Sequence, residues 1–134
     1  MRSVVLVTGV LLLTFTGVAA AASRADQVAR GRYLVHHVAM CVQCHTPRDA
    51  NGEVDRTRLL KGAPVLVPAP FPTQPWAVNA PAIAGLPGFS DEDEITLLTT
   101  GRRPGSAVPK PPMPPFRLTR EDAEAVVAYL RSLP

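Results

Sequence analysis

The sequence predicts a small all-α domain interrupted by two long irregular loops. Three features carry this expectation: segments with apolar residues at spacings of three and four, N-cap residues ahead of two of them, and no alternating strand run or internal repeat. A first helix is expected over Ala25–Met40, where Val28, Gly31, Leu34, Val35 and Val38 share one face. Arg30, Arg32, His36 and His37 sit largely off that stripe, which points the two histidines to solvent. Turn chemistry over Thr46–Gly52 ends the segment. From Lys61 to Pro87 the chain carries Pro64, Pro68, Pro70, Pro72, Pro75, Pro81 and Pro87, so neither a regular helix nor a central strand is expected there. Ser90 reads as an N-cap with Asp93 at N3, acids fill the first turn, and Gly101 sits where a C-cap belongs, giving a short helix over Asp91–Thr100. Arg103–Pro115 is a second proline-rich loop. Thr119, with Asp122 at N3, caps a last helix whose stripe is Ala123, Val126, Val127, Leu130 and Leu133.

Ahead of these elements, Arg2, the apolar run Val4–Val18 and Ala19–Ala22 have the layout of a secretory leader over residues 1–22, with cleavage after Ala20, Ala21 or Ala22. With the alanines the run is about long enough to serve instead as an uncleaved membrane anchor. Either way the body, residues 23–134, is expected to be exported from the cytoplasm, as one domain. A hydrophobic content of 46% and a net charge of only +3 argue against a disordered chain. Two cysteines cannot build a disulfide-rich scaffold, and nine glycines without a period exclude collagen.

All of the acids and all bases but Arg2 follow the leader, so the body is mildly basic. It has no Lys/Arg stripe of the kind that binds nucleic acid. The charges form blocks: a basic first half, the acidic run Asp91–Glu94, and a basic stretch from Arg102 to Arg120. Most are expected on a solvated surface, and the basic ones are placed to steer an acidic protein partner. Six aromatics remain once Phe15 is set aside with the leader. Three helices and six aromatics make a thin core for loops this long, which points to something other than side chains filling it.

The chemistry is concentrated in Cys41-Val42-Gln43-Cys44-His45. C-x-x-C-H is the attachment sequence of c-type haem. Two thiols one helical turn apart can add to the two vinyl groups of a porphyrin, and His45 then lies under the ring as an iron ligand. Three rivals compete. A thioredoxin-like pair needs a preceding strand in a βαβ setting, whereas a helix is expected there. A zinc site needs further ligands at knuckle spacing. A plain Cys41–Cys44 disulfide closes a tiny loop and explains nothing else.

For the second axial position, Met1 goes with the leader and Met40 adjoins the attachment edge. Met113 remains, in Pro111-Pro112-Met113-Pro114-Pro115-Phe116, where flanking prolines hold a thioether at low entropic cost. His36 and His37 are the alternative, giving a bis-histidine iron.

The chain resembles the class I monohaem c-type cytochromes over Ala25–Pro134. The likeness rests on a first helix with Gly31 and Tyr33, the Cys41–His45 motif, Met113 in a proline-rich loop and Tyr129-Leu130 in the last helix. It implies N- and C-terminal helices crossing at a glycine around one covalent haem c, held by Cys41 and Cys44, with His45 and Met113 as axial ligands. A narrower likeness is to haem domains of the cytochrome subunits of bacterial periplasmic dehydrogenases, seen in Tyr33-Leu34, Cys44-His45-Thr46, Lys61-Gly62-Ala63-Pro64, Phe89-Ser90-Asp91-Glu92 and Met113-Pro114. Those subunits usually carry several haems. Their Asn-Ile-Thr-like segment appears only loosely here, as Asn79-Ala80-Pro81-Ala82-Ile83. The resemblance further implies a proline carbonyl accepting from Nδ1 of His45, for which Pro64 is the candidate, and haem propionate contacts from Trp76 and Arg48.

The function expected is one-electron transport between redox protein partners, a dehydrogenase as donor and a cytochrome or oxidase as acceptor. No catalytic acid, base or nucleophile is implied, so the protein is not expected to be an enzyme. The alternatives are a haem enzyme or gas sensor with an open sixth site, and a non-redox interaction module.

Overall fold

The computed structural model describes residues 23–134; the leader expected over residues 1–22 lies outside them. Helix α1 spans Arg24–Tyr33, capped by Ser23 in a reciprocal capping box with Asp26. It does not continue as α-helix to Met40. The backbone widens into a π-helical turn over Leu34–Val38, with Ala39 N–H donating to Leu34 O at 2.8 Å, five residues back. The wider turn keeps Leu34 and Val35 in the core but rotates Val38 out of the predicted stripe, to 52% exposure. Met40 then takes a left-handed conformation (φ +56°), reversing the chain so that helix α2, Cys41–His45, starts at once.

Helices α3, Asp91–Thr100, and α4, Arg120–Arg131, lie where the caps predicted them. Ser90 and Thr119 accept from Asp93 N–H and Asp122 N–H, each at 3.2 Å. The acidic run of α3 is not all surface. Glu94 is 5% exposed and forms an ion pair with Arg103 at 3.0 Å that lacks hydrogen-bond alignment, while Arg103 stacks over the Phe89 ring. Burial pushes the Glu94 carboxyl above its ordinary value, with Arg103 opposing. The signal was in the sequence, because Glu94 shares a helix face with the buried Leu97 and Leu98.

Helices α1 and α4 cross at Gly31. A Cβ there would sit 1.9 Å from Ala125 O and 2.8 Å from Tyr129 Cβ, so only glycine permits this approach. Arg30 clamps the crossing from outside with two bonds to Asp122, at 2.8 and 3.1 Å. The loops hold one short antiparallel pair that the sequence did not predict, β1 (Ala63–Pro64) with β2 (Asn79–Ala80). The core joins Leu34 and Val35 to Leu60, Leu86, Ile95, Leu98, Val126 and Leu130. Among the described residues Tyr129 is the one aromatic buried in it.

Candidate functional site

Helix α2 presents Cys41 half-buried and Cys44 exposed, and their sulfurs are not bonded to each other. Burial pushes the Cys41 thiol up to about 11, so at neutral pH it carries its proton. An activated redox pair needs the opposite shift.

His45 is 8% exposed. Its Nδ1 lies 2.8 Å from Pro81 O. Burial lowers its pKa, the carbonyl acting against that, so the imidazole is neutral, donates from Nδ1 and leaves a lone pair on Nε2. The sequence reading pointed to Pro64 for this contact, and the structure assigns it to Pro81. The reason is the β1–β2 pairing: Pro64 is committed to Asn79 opposite it, and the returning strand carries Pro81 past the ring. The loosely matching segment Asn79–Ile83 was the available signal.

Further hydrogen bonds hold the backbone around the histidine. Gly62 N–H donates to His45 O at 2.8 Å, and the buried Thr46 accepts from Leu60 N–H at 3.0 Å through its hydroxyl. Leu60 O in turn accepts from Ile83 N–H and Ala84 N–H, which holds Leu60 at a left-handed φ of +58°. Gly62 has φ +86°, and a Cβ there would meet Ala82 N at 2.9 Å, so a side chain would push apart the two loop segments that grip His45. Gly85 N–H, donating to Leu130 O at 2.8 Å, ties the assembly to α4. Thr46, Gly62 and Pro81 are supporting residues that periodicity could not reveal, because they act through loop backbone.

Beside Cys44 a cavity of about 350 Å³ is walled by Ala63–Val67 on one side and by Thr46–Arg48 on the other. Met113 is half-buried in the second proline-rich loop. That loop is joined to the first by Ala77 N–H donating to Pro111 O at 2.8 Å. Trp76 donates from Nε1 to Val67 O at 2.8 Å, and Arg48 donates to Gln43 Oε1 at 2.9 Å and to Gly52 O, so both side chains brace loop structure.

His37 is exposed as expected, but His36 is not. Its Nε2 is hydrogen-bonded to the Tyr129 hydroxyl at 2.7 Å, and the two rings meet edge to face. Burial lowers the His36 pKa, with Arg32, His37 and Arg56 adding to the effect. A depressed folded-state value means stability that is complete above the ordinary imidazole pKa of about 6.5 and is lost as pH falls toward the folded-state pKa. Denaturation midpoints should therefore decrease as pH drops below about 6.5, and His36→Gln should flatten that part of the profile. A variant with the wild-type slope would remove His36 from the cause.

A family profile described as cytochrome c matches residues 28–134. The chain belongs to the cytochrome c family. Covalently bound haem c is that family's cofactor, electron transfer its function, and the donor set fits: two unbonded thiols one turn apart and a neutral imidazole oriented by a carbonyl. The chain is 33% identical to the fructose dehydrogenase cytochrome subunit of Gluconobacter japonicus over 114 residues, 81% of this chain and 22% of that protein. It is 32% identical to the cytochrome c subunit of the quinone alcohol dehydrogenase of Gluconacetobacter polyoxogenes, covering 81% of this chain and 25% of that one. It is also 32% identical to a diheme cytochrome c-type protein of Cereibacter sphaeroides, covering 82% and 36%. The cytochrome thus spans about a quarter to a third of these relatives' length. Among its described residues no helix is long and apolar enough to cross a membrane.

Proposed function

We propose that this cytochrome is an exported, periplasmic one-electron carrier that holds one haem c through Cys41 and Cys44, with His45 and Met113 as axial iron ligands, and passes electrons from a dehydrogenase to a respiratory acceptor. The observation that carries the reading is the His45 imidazole, buried, with Nδ1 bonded to Pro81 O, beside two unbonded thiols on the same helix. The haem supplies a metal that changes oxidation state by one electron. The chain's own residues keep the cost of that change low. Pro81 and the Gly62 contact fix the ring plane of His45, and burial excludes water from it. Met113 rides on a loop stiffened by prolines and joined to the Trp76 segment, which supports a fixed thioether ligand and a saturated iron. The relatives named as dehydrogenase cytochrome subunits support a dehydrogenase as the donor. The leader composition of residues 1–22 supports export.

Ferric wild-type protein at neutral pH is expected to show the weak near-infrared band of sulfur–iron ligation. Met113→Ala should abolish the band, lower the reduction potential and let the reduced protein take up carbon monoxide. A band that survives Met113→Ala sinks the ligand assignment. Carbon monoxide uptake by reduced wild type would favour the open-site sensor or enzyme instead.

A further inference from the structure

A cavity larger than the one beside Cys44 lies elsewhere in the described chain. It is an open groove of about 1280 Å³ between α1 and the outer side of α2. Its apolar surface comes from Val28, Val42, Leu59 and Leu133, of which Val42 is buried and the others half-buried. Arg24, Arg32 and Arg56, all exposed, stand around it, and no aspartate or glutamate lines it. Among the described residues none of these three arginines forms an ion pair, whereas Arg30 on the same helix is fully engaged with Asp122. His36 and His37 complete the wall; burial lowers the His36 pKa, with Arg32, His37 and Arg56 adding to the effect.

We propose that this groove is a docking site for an acidic amphipathic segment of a partner protein, its apolar side chains on the Val28–Val42–Leu59 floor and its carboxylates on Arg24, Arg32 and Arg56. Charge complementarity selects the occupant: three unpaired cations around an apolar floor are satisfied by alternating apolar and acidic side chains. A second copy of this chain fits less well, because three of the four acids of its α3 turn are already paired or buried. Asp91 pairs with Arg131, Glu92 with Arg120, and Glu94 is buried. A lipid surface also fits less well, since membrane-surface binding needs protruding apolar groups and this floor is recessed. Val42 and Gln43, which line the groove, lie between the two motif cysteines, so the docked segment would rest against the helix that carries them. The groove is an anchor distinct from the face formed by the proline-rich loops.

The test uses the haem-loaded mature protein and a fluorescently labelled amphipathic peptide of leucine and glutamate, followed by anisotropy, with amide NMR shifts to locate it. Binding is expected to weaken with salt, to shift amides of α1 and α2, and to drop about tenfold in the Arg32→Glu/Arg56→Glu double variant, whose haem spectrum is unchanged. Because both sites are exposed, the unchanged spectrum also serves as the fold control. Undiminished binding in the double variant, or shifts confined to other faces, would overturn the proposal. So would vesicles of phosphatidylcholine and phosphatidylglycerol binding in place of the peptide, or self-association abolished by the double variant, which would assign the groove to lipid or to a second copy. None of these outcomes bears on the Met113 ligand, which is read from its own spectrum.

Discussion

Replacing both Cys41 and Cys44 with serine should leave a chain that retains no covalent haem and no cooperative fold. Two physical facts combine here. In the proposed site the thiols supply both covalent links, so no second anchor would remain once they are gone. The protein core is also too thin to compensate. Apart from Tyr129 its fully buried hydrophobic side chains are aliphatic, Phe89 and Phe116 only pack against it, and Phe71 is 67% exposed. For a domain of this size, whose stability is a small difference between large terms, the binding free energy of a cofactor counts directly as folding free energy. Expressed with the haem-attachment machinery, the double variant should be colourless after denaturing electrophoresis and haem staining, with low helicity and no sigmoidal melt. Native-like circular dichroism with a cooperative transition in that variant would show that the helices carry the fold unaided.

The second large effect is expected at Gly31→Ala. By helix propensity alone this change in α1 should stabilise by about 1 kcal/mol. The crossing reverses the sign. The new Cβ would stand 1.9 Å from Ala125 O, a backbone atom of a buried helix that no rotamer change can move. The two helices must separate, loosening Tyr129 and the Arg30–Asp122 clamp. Overpacking of this kind costs about 3 kcal/mol or more, outweighing the propensity gain. The melting temperature of the haem-loaded protein should fall by about 10 °C. An unchanged melting temperature would mean that α1 and α4 do not meet at this glycine in solution.

Much of this was legible in one dimension. Caps and periodicity set α3 and α4, because Ser90, Thr119, Gly101 and the stripe Ala123–Leu130 act within one or two turns of themselves. The spacing of Cys41, Cys44 and His45 defined the cofactor chemistry for the same reason, since all three sit on one short helix. Gly31 lies in the apolar stripe of α1, and the resemblance to class I cytochromes c implied its role as the contact point.

Only the tertiary structure decided the rest, and each case involves partners far apart along the chain. That Pro81 rather than Pro64 holds His45 depends on the pairing of Ala63–Pro64 with Asn79–Ala80 across a loop that has no periodicity to read. His36 turns inward because the π-helical turn rotates it onto Tyr129, 93 positions away, and that turn leaves no mark on the apolar pattern. The groove of Arg24, Arg32 and Arg56 exists because α2 folds back beside α1 at Met40. Local interactions are written in neighbouring residues and survive reading by eye; contacts closed over long loops are set by the packing of the whole chain, and there the sequence by itself specifies the participants but not the pairs.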